Sequence, residues 1–322
     1  MGSENLAVIS GREERIDRNL LKIRRCLGPL ICGLLDEPTV IEVMLNPDGL
    51  VWVERLGEVM KPVGSLSEGD AEGVVTAVAS LLRTTVTRDS PILECELPLD
   101  GSRFEALLPP VVPRPVFTIR RMASRVFTLA EYVAQGVMTD AQHQVLRDAV
   151  ANRQNVLVAG GTGSGKTTLT NAILAEIAAQ WPDDRIVIIE DTNELQCSVE
   201  NKVTLRTADD VSMQRLLAAT MRLRPDRITV GEVRGKEALD LLKAWNTGHP
   251  GGVATVHAND GRGALRRLES LVAEGTLAPQ QETIAAAVNV VAVIGKTPEG
   301  RRLKEVLKVH SWDGQNYVMS QL

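Results

Sequence analysis

The chain has 322 residues, of which 44% are hydrophobic and 24% charged, with 26 glycines and 15 prolines. Its length exceeds the usual size of one domain, and its composition excludes a wholly disordered, collagenous or coiled-coil protein. The 36 basic and 41 acidic residues give a net charge of −5. This balance argues against a dedicated duplex-DNA binder but is compatible with a local basic patch.

The sequence shows no signal for export or membrane insertion. Residues 1–15 contain no apolar segment of the kind that a signal peptide needs. The longest apolar stretches, 27–35 and 284–294, are shorter than the ~18 residues of a membrane span. The four cysteines form no CxxC pair. We therefore expect reduced, buried thiols in a cytoplasmic protein, with any membrane association peripheral or through partners.

The first third of the chain predicts a small α+β domain. Apolar residues spaced three and four apart predict a helix over 12–35, and a second apolar face predicts another over 67–86. Two β-hairpins are predicted around the turns Asn46-Pro47-Asp48-Gly49 and Asp100-Gly101. A last strand, Val116–Arg120, follows a proline-rich approach. A domain boundary is predicted after this strand, near residues 122–126, where short segments on either side would let the two domains move relative to each other.

From about residue 128 the pattern changes to alternating helices and apolar strands. This βαβ rhythm predicts a mostly parallel sheet covered by helices on both faces, and strand-like runs after residue 290 extend it with antiparallel pairs. The predicted strands are Asn155–Ala159, Arg185–Glu190, Arg227–Val230 and Val253–Val256, and the predicted helices are 139–153, 166–180, 211–223 and 236–246. We thus predict an N-terminal domain at 1–122, a linker at 123–127 and an α/β domain at 128–322.

A glycine-rich loop joins the first of these strands to the following helix. Residues 160–167 match the nucleotide-binding pattern GxxxxGK[ST] in the strand-to-helix context that this motif requires. Glycines let backbone N–H groups converge on phosphate oxygens, and the helix adds its positive N-terminal end. Lys166 is expected to contact the β- and γ-phosphates, and Thr167 to bind Mg²⁺. The nucleotide-binding candidates are Gly160, Gly161, Thr162, Gly163, Ser164, Gly165, Lys166, Thr167 and Thr168.

Two predicted strands are followed by carboxylates that could complete this site. Glu190 and Asp191 follow four apolar residues, which by local pattern makes them the better candidate; Glu232 follows another strand. Both sets can act together, because neighbouring parallel strands bring their carboxyl ends to one sheet edge. His249 and His257 flank the next strand, and local pattern leaves structural and catalytic roles equally open for them.

Four boxes in order resemble those of the secretion ATPase superfamily of type II and type IV secretion systems, with TrbB-type conjugal-transfer ATPases as the nearest match. The boxes are residues 160–167, 189–195, 223–235 and 247–259, and the resemblance extends over nearly the whole chain. It implies a RecA-like P-loop domain preceded by a smaller α+β domain, in a homohexameric ring that hydrolyses ATP with Mg²⁺. It also implies a role in pilus assembly or DNA and protein transfer, in the bacterial cytoplasm and docked on inner-membrane components of the secretion apparatus.

The resemblance also implies roles for the candidate residues. Glu232 would orient the attacking water, and His257 would sense the γ-phosphate. Glu190, Asp191 and Glu194 would lie in the second box, near Mg²⁺ and the γ-phosphate. Because Gly231 before Glu232 leaves the chain without an Asp-Glu pair there, the Mg²⁺ shell would consist of Thr167, waters and this second box. Arginines of the N-terminal domain would reach the nucleotide and neutralise developing charge; the candidates are Arg103, Arg120 and Arg121.

Two other functions stay open. A ring-shaped nucleic-acid translocase needs basic loops that face a channel, and the interrupted basic stretches within 262–267 and 301–304 are candidates, although solvated faces explain them more simply. An ATP-binding switch without turnover would use the same P-loop. A GTPase of the common class is disfavoured, because residues 201–204 resemble the base-reading motif [NT]KxD but lack its Asp.

Overall fold

The computed structural model describes residues 2–122, 125–208 and 210–321, with side chains from residue 15 onward. The chain divides into two units, Met1–Ser124 and Arg125–Leu322. The predicted linker at 123–127 includes residues 123 and 124, which lie outside the described ranges. None of the helices in those ranges has the length and apolar character that a bilayer span requires.

Over residues 2–122, the first unit carries a six-stranded sheet in the order β3-β2-β1-β6-β5-β4, with each neighbouring pair antiparallel. Its elements are α1 (Gly2–Asp36), β1 (Val40–Leu45), β2 (Leu50–Arg55), β3 (Lys61–Ser65), α2 (Glu68–Leu81), β4 (Ile92–Glu96), β5 (Arg103–Leu107) and β6 (Val116–Arg120). Both predicted hairpins are confirmed. The strand β3 has no predicted counterpart, because it is a short and largely exposed edge strand.

The two predicted helices of this unit differ from the observed ones at their ends. The first extends to Gly2 and bends at Gly28, where φ is 70° immediately before Pro29. The second ends at Leu81 instead of residue 86. Arg83 takes a left-handed φ of 57°, which a continuing helix cannot include.

Within residues 125–208 and 210–321, the second unit carries an eight-stranded sheet in the order β14-β13-β12-β7-β11-β10-β8-β9. Its strands are β7 (Val156–Ala159), β8 (Ile186–Glu190), β9 (Lys202–Arg206), β10 (Arg227–Val230), β11 (Val253–Val256), β12 (Val290–Thr297), β13 (Gly300–Trp312) and β14 (Tyr317–Gln321). Its helices are α3 (Leu129–Ala134), α4 (Asp140–Ala151), α5 (Lys166–Gln180), α6 (Met213–Thr220), α7 (Glu237–Asn246), α8 (Gly261–Ala273) and α9 (Gln281–Ala287).

The strand directions confirm the predicted sheet. Strands β12, β7, β11, β10, β8 and β9 are parallel, while β13 and β14 add the antiparallel extension. Every residue of β7, β8, β10 and β11 is buried, because hydrophobic clusters cover both faces of the sheet. Helix α8 has no predicted counterpart, and its basic residues Arg262, Arg266 and Arg267 are exposed on its outer side.

All four cysteines are free, but the expectation of burial is right for Cys26 alone. Cys32, Cys95 and Cys197 are only partly buried, because they pack at the margins of the hydrophobic clusters rather than inside them. Burial still raises the pKa of the Cys95 thiol to about 12, so it is protonated at neutral pH.

A buried ion pair lies at the amino edge of the parallel strands. Asp184 precedes β8, and its Oδ2 lies 2.7 Å from Nε of Arg227, the first residue of β10. Arg153 Nη2 lies 2.6 Å from the other oxygen, Oδ1. Arg227 is fully buried and also donates from Nη1 to the carbonyl of Gly251, at 2.9 Å. Burial lowers the pKa of Arg227, and the hydrogen bond and charge of Asp184 oppose this shift.

Asp184→Ala is expected to destabilise the second unit by about 3–5 kcal/mol, because it leaves the buried Arg227 charge without its carboxylate. The measurement is urea unfolding of the full chain followed by fluorescence of its tryptophans, with Trp181 next to Arg153 reporting on this unit. Asp183→Ala, at the exposed neighbouring position, is the control and should change stability by less than about 0.5 kcal/mol. A loss below about 1 kcal/mol for Asp184→Ala would contradict this account.

Candidate nucleotide-binding site

The glycine-rich loop lies between the buried strand β7 and the first turn of α5. Gly163 and Gly165 have φ values of 64° and 103°, which side chains other than glycine rarely tolerate. Gly160 is required for packing, since a Cβ there would lie 2.4 Å from the carbonyl oxygen of Ile294. Gly165 gives α5 no side-chain cap. The first N–H groups of α5 can therefore serve an anion.

The Lys166 side chain folds back over this loop towards His257, which follows the neighbouring strand β11. Its Nζ donates to the carbonyls of Gly160 and Gly161, each at 3.1 Å. The same Nζ lies 3.3 Å from Nδ1 and 3.4 Å from Nε2 of His257, which follows β11. The P-loop lysine and the histidine that follows β11 therefore meet at the carboxyl edge of the sheet.

Charged side chains of alternating sign continue from this contact along the sheet edge. His257 Nε2 lies 2.7 Å from Oε1 of Glu232. Arg234 Nε donates to Oε2 of Glu232 at 2.6 Å, and its Nη1 donates to Oδ2 of Asp191 at 3.2 Å. Arg234 lies within the third box but is not among the predicted site residues. One guanidinium thus links the carboxylates that follow β8 and β10.

The protonation states of these groups depend on one another. Burial lowers the pKa of His257, Lys166 and Arg234 lower it further, and Glu232 opposes them. Burial would also lower the pKa of Arg234, but Glu232 and Asp191 outweigh it and the pKa of Arg234 is raised. His257 is therefore neutral at pH 7, so one ring nitrogen can accept a hydrogen bond from Lys166.

Glu190 is turned inward, away from this chain of charges. Its Oε2 accepts hydrogen bonds from the backbone N–H groups of Glu194 and Leu195, at 2.9 and 3.0 Å. Burial raises the pKa of its carboxyl, and the two N–H groups oppose this shift. A Cβ at Gly231 would lie 3.0 Å from the Cβ of Glu190. Glu190 therefore crowds the position where an Asp-Glu pair would need its Asp.

The loop after β8 is attached to the P-loop helix by side-chain hydrogen bonds. Thr167 Oγ1 donates to Oε2 of Glu194 at 3.1 Å. Asn171, one turn further along α5, donates to the carbonyl of Glu194 at 3.2 Å and accepts from the backbone N–H of Gln196 at 2.9 Å. Asn171 is buried and was not among the predicted site residues. In the sequence, Asn171 looks like any other polar residue on a predicted helix, so local pattern does not identify it.

These contacts decide which predicted metal residues lie together. Among the described residues, no group of three or more His, Cys, Asp or Glu side chains has metal-binding spacing. Thr167 and Glu194 nevertheless present adjacent oxygens, and Mg²⁺ is commonly held by one or two protein oxygens with substrate phosphates and water. Oε2 of Glu190 accepts from backbone N–H groups, while its buried Oε1 has no hydrogen-bond partner among the described residues. Asp191 is bound by Thr207 and Arg234. Thr167 and Glu194 are therefore the described residues whose oxygens could hold Mg²⁺.

The two histidines of the fourth box lie at opposite ends of β11. His249 precedes the strand, and its Nδ1 lies 3.3 Å from the carbonyl of Ala244, a contact within the fold. The backbone N–H groups of Gly251 and Gly252 donate to Oδ1 of Asn155, at 2.7 and 3.0 Å. The first half of this box therefore packs the amino edge, and only its second half reaches the P-loop.

The three predicted arginines belong to the first unit. Arg103 pairs with Arg120 across β5 and β6, and Arg120 pairs with Glu42 across β6 and β1. Burial raises the pKa of the Glu42 carboxyl, while Arg120 and Arg103 oppose it. Arg121 instead donates from Nη1 to the main-chain carbonyls of Glu37 and Val40. Arg121 is thus engaged in the fold of this unit.

Comparison with known proteins agrees with these boxes. Residues 29–299 match the family described as Type II/IV secretion system protein. The probable conjugal transfer protein TrbB of Sinorhizobium fredii is 52% identical over 300 residues, covering 93% of this chain and 92% of the relative. Protein VirB11 of Agrobacterium fabrum is 31% identical over 309 residues, covering 84% and 88%.

The fold also has solved counterparts. The X-ray structure of the Legionella pneumophila ATPase DotB is similar with a TM-score of 0.60 at 19% identity, covering 83% of this chain and 76% of that chain. At this identity the likeness concerns the fold alone. The family match, in contrast, spans most of the chain and includes every box that meets at the sheet edge. The protein therefore belongs to the family of type II/IV secretion system proteins.

Proposed function

We propose that this protein is the ATPase motor of a bacterial conjugative type IV secretion system. The observation that carries the proposal is the position of His257 between Lys166 and Glu232 at one sheet edge. Its Nδ1 lies 3.3 Å from Nζ of Lys166, and its Nε2 lies 2.7 Å from Oε1 of Glu232. A P-loop lysine next to a carboxylate that can orient water is the arrangement that nucleotide hydrolysis needs. The 52% identity to a protein named for conjugal transfer supports the role in conjugation.

The geometry also supports a separate role for each of these three residues during hydrolysis. Glu232 orients a water molecule whose oxygen attacks the γ-phosphorus, while the bond from that phosphorus to the bridging oxygen breaks and yields ADP and inorganic phosphate. Lys166 exchanges the carbonyls of Gly160 and Gly161 for phosphate oxygens. His257, neutral in the resting site, donates its ring N–H to a γ-phosphate oxygen. Glu232 accepts the proton of the attacking water.

Mg²⁺ would be held by Thr167 and Glu194 together with the nucleotide phosphates, and would supply positive charge to them when bound. In this proposal Glu190 positions the loop that carries Glu194, and Asp191 positions Arg234. Arg234 must release one oxygen of Glu232 for that carboxylate to meet water. These assignments shift Glu190 and Asp191 from metal ligands to positioning residues.

We further propose that the second unit is RecA-like and that six copies form a ring. The family resemblance implies both features, and the order of the parallel strands β7, β11, β10 and β8 supports the first. The domains are proposed at 1–122 and 128–322, joined by 123–127. The ring is proposed to lie in the cytoplasm and to dock peripherally on inner-membrane components of the secretion apparatus.

Glu232→Gln is expected to retain ATP binding and to lower turnover by about 10²–10³-fold, because the amide cannot take the proton of the attacking water. Asp191→Asn is the matched variant at the neighbouring strand end and is expected to slow turnover less. The measurements are steady-state ATP hydrolysis with Mg²⁺ and equilibrium binding of a fluorescent nucleotide. Normal turnover in Glu232→Gln with loss in Asp191→Asn would reverse the assignment.

Lys166→Ala is expected to lower turnover by at least ~10²-fold, because it removes the cation that the loop itself supplies to the phosphates. It should also raise the pKa of His257, because a positive charge 3.3 Å from Nδ1 disfavours the protonated ring. NMR titration of the four histidines follows this shift, and His257→Asn assigns the resonance. An unchanged pKa in the folded variant would contradict the observed contact.

Arg120→Gln is expected to lower turnover by ~10²-fold or more without weakening nucleotide binding, because we propose that Arg120, with Arg103, neutralises charge on the transferred phosphate. Arg121→Gln is the comparison, because its guanidinium is bound to main-chain carbonyls. It should lower the unfolding free energy of the first unit and leave turnover nearly unchanged in the folded protein. The reverse outcome would assign the catalytic role to Arg121.

A further inference from the structure

A cavity of 320 Å³ lies next to the P-loop, between this loop and the hairpin that joins β12 to β13. Its walls include four of the nucleotide-binding candidates of the loop, Gly160, Gly161, Thr162 and Ser164, together with Lys296 and Lys304 from the hairpin. Asn259, two residues after His257, forms a further part of the wall. The cavity therefore adjoins the end of the site where Lys166 and His257 meet, but neither of these two residues lines it.

A β-bulge directs Lys304 into this cavity. The register of β12 and β13 shifts between Val293, which lies opposite Glu305, and Ile294, which lies opposite Leu303. In the described pairing of these strands, no residue of β12 lies opposite Lys304. Bulges of this kind redirect a side chain. Gly295 provides the space, since a Cβ there would lie 2.7 Å from Lys304 Nζ. The Lys304 ammonium group thus lies against Gly295, which has no side chain, at the wall of the cavity.

Two further cations of the same hairpin approach the loop. Lys296 Nζ lies 3.6 Å from the position that a Cβ of Gly163 would take. Arg301 Nη2 donates to the carbonyl of Gly163 at 3.4 Å. The Nε of Arg301 is buried and has no hydrogen-bond partner among the described residues. Positive side chains brought together repel one another, and an anion between them relieves that repulsion.

Ser164 supplies an independent indication of a ligand. This residue is 3% exposed, and its Oγ has no hydrogen-bond partner within the described part of the chain. Leaving a buried hydroxyl unmatched costs free energy, so such a group usually meets a partner that fills the space beside it. Ser164, Asn259 and Lys304 can each donate a hydrogen bond, and together they suit a tetrahedral oxyanion.

We propose that this cavity binds inorganic phosphate, the product of ATP hydrolysis, on the side of the P-loop that faces the hairpin. This position shares loop residues with the nucleotide site but is displaced from Lys166 and His257, which do not line the cavity. The inference rests on the proposed ATPase function. A phosphate that leaves the γ-position near His257 meets Asn259 and then the cations of the hairpin. Retention there delays its release, so the β12–β13 hairpin sets how long the site remains in its product state.

The test is calorimetric titration of inorganic phosphate into the full-length protein bound to Mg-ADP. Lys304→Gln and Lys296→Gln are each expected to weaken phosphate binding at least about fivefold, because each removes a charge-assisted contact from a partly open cavity. Lys308→Gln is the matched control, since it lies on the same strand but does not line the cavity. In all three variants, affinity for a non-hydrolysable ATP analogue should change less than about twofold.

The same phosphate affinity in Lys304→Gln as in the wild type would overturn the proposal. A loss of affinity for the ATP analogue as large as the loss for phosphate would also overturn it, since the lysines would then serve the nucleotide itself. Phosphate is also titrated into the nucleotide-free protein, and ATP hydrolysis is measured separately. Failure of the anion site can then be distinguished from failure of the proposed ATPase function. Lys304-dependent phosphate binding in a wild-type protein that does not hydrolyse ATP would refute the ATPase proposal and retain the anion site.

Discussion

The parallel pairing of β8 with β10 is the constraint on which the rest of the site depends. It sets Ile189 opposite Val230, so Glu190 and Asp191 leave the sheet next to Gly231 and Glu232. Carboxylates this close repel one another unless a cation or burial of one group relieves them. The protein uses both means. Glu190 is buried against backbone N–H groups, and Arg234 bridges the other two carboxylates.

The consequence is a resting site in which the groups needed for chemistry are already paired. Lys166 is hydrogen-bonded to loop carbonyls, Thr167 to Glu194, and Glu232 to Arg234. In the proposed mechanism, phosphate oxygens replace the loop carbonyls at Lys166, and water replaces Arg234 at one oxygen of Glu232. Nucleotide binding must therefore exchange these contacts before hydrolysis. Oε2 of Glu190, a buried carboxylate, accepts from the backbone N–H of Glu194, which supports the positioning role proposed for it.

The two edges of the parallel sheet perform different tasks. At the amino edge, Asp184 and Arg227 form a buried pair, and Asn155 ties the glycines before β11 to the start of β7. These contacts are closed to solvent and fix the strand positions. At the carboxyl edge, Arg234 and His257 are about half exposed, so their contacts can be exchanged for those of a ligand. Stability and reactivity are thus separated along the strands.

Local signals in the sequence determined a large part of this account. The P-loop could be recognised because its glycines, lysine and threonine act within one turn. The parallel sheet followed from fully apolar strands between helices. Helix α5 was predicted with its observed bounds, Lys166–Gln180, because the motif marks its start. Elements with mixed or weak patterns, such as the edge strand β9 and helix α8, had no prediction.

Only the tertiary structure decided which residues of the four boxes contact one another and which are buried in the fold. Whether a carboxylate faces water or a backbone N–H depends on strand register and on neighbours distant in sequence, as Glu190 and Glu232 show. Arg234 and Asn171 gain their roles from partners 43 and 25 residues away. The direction of the Lys304 side chain depends on a one-residue shift between β12 and β13. Side chains alternate faces along a strand, and a bulge interrupts that alternation.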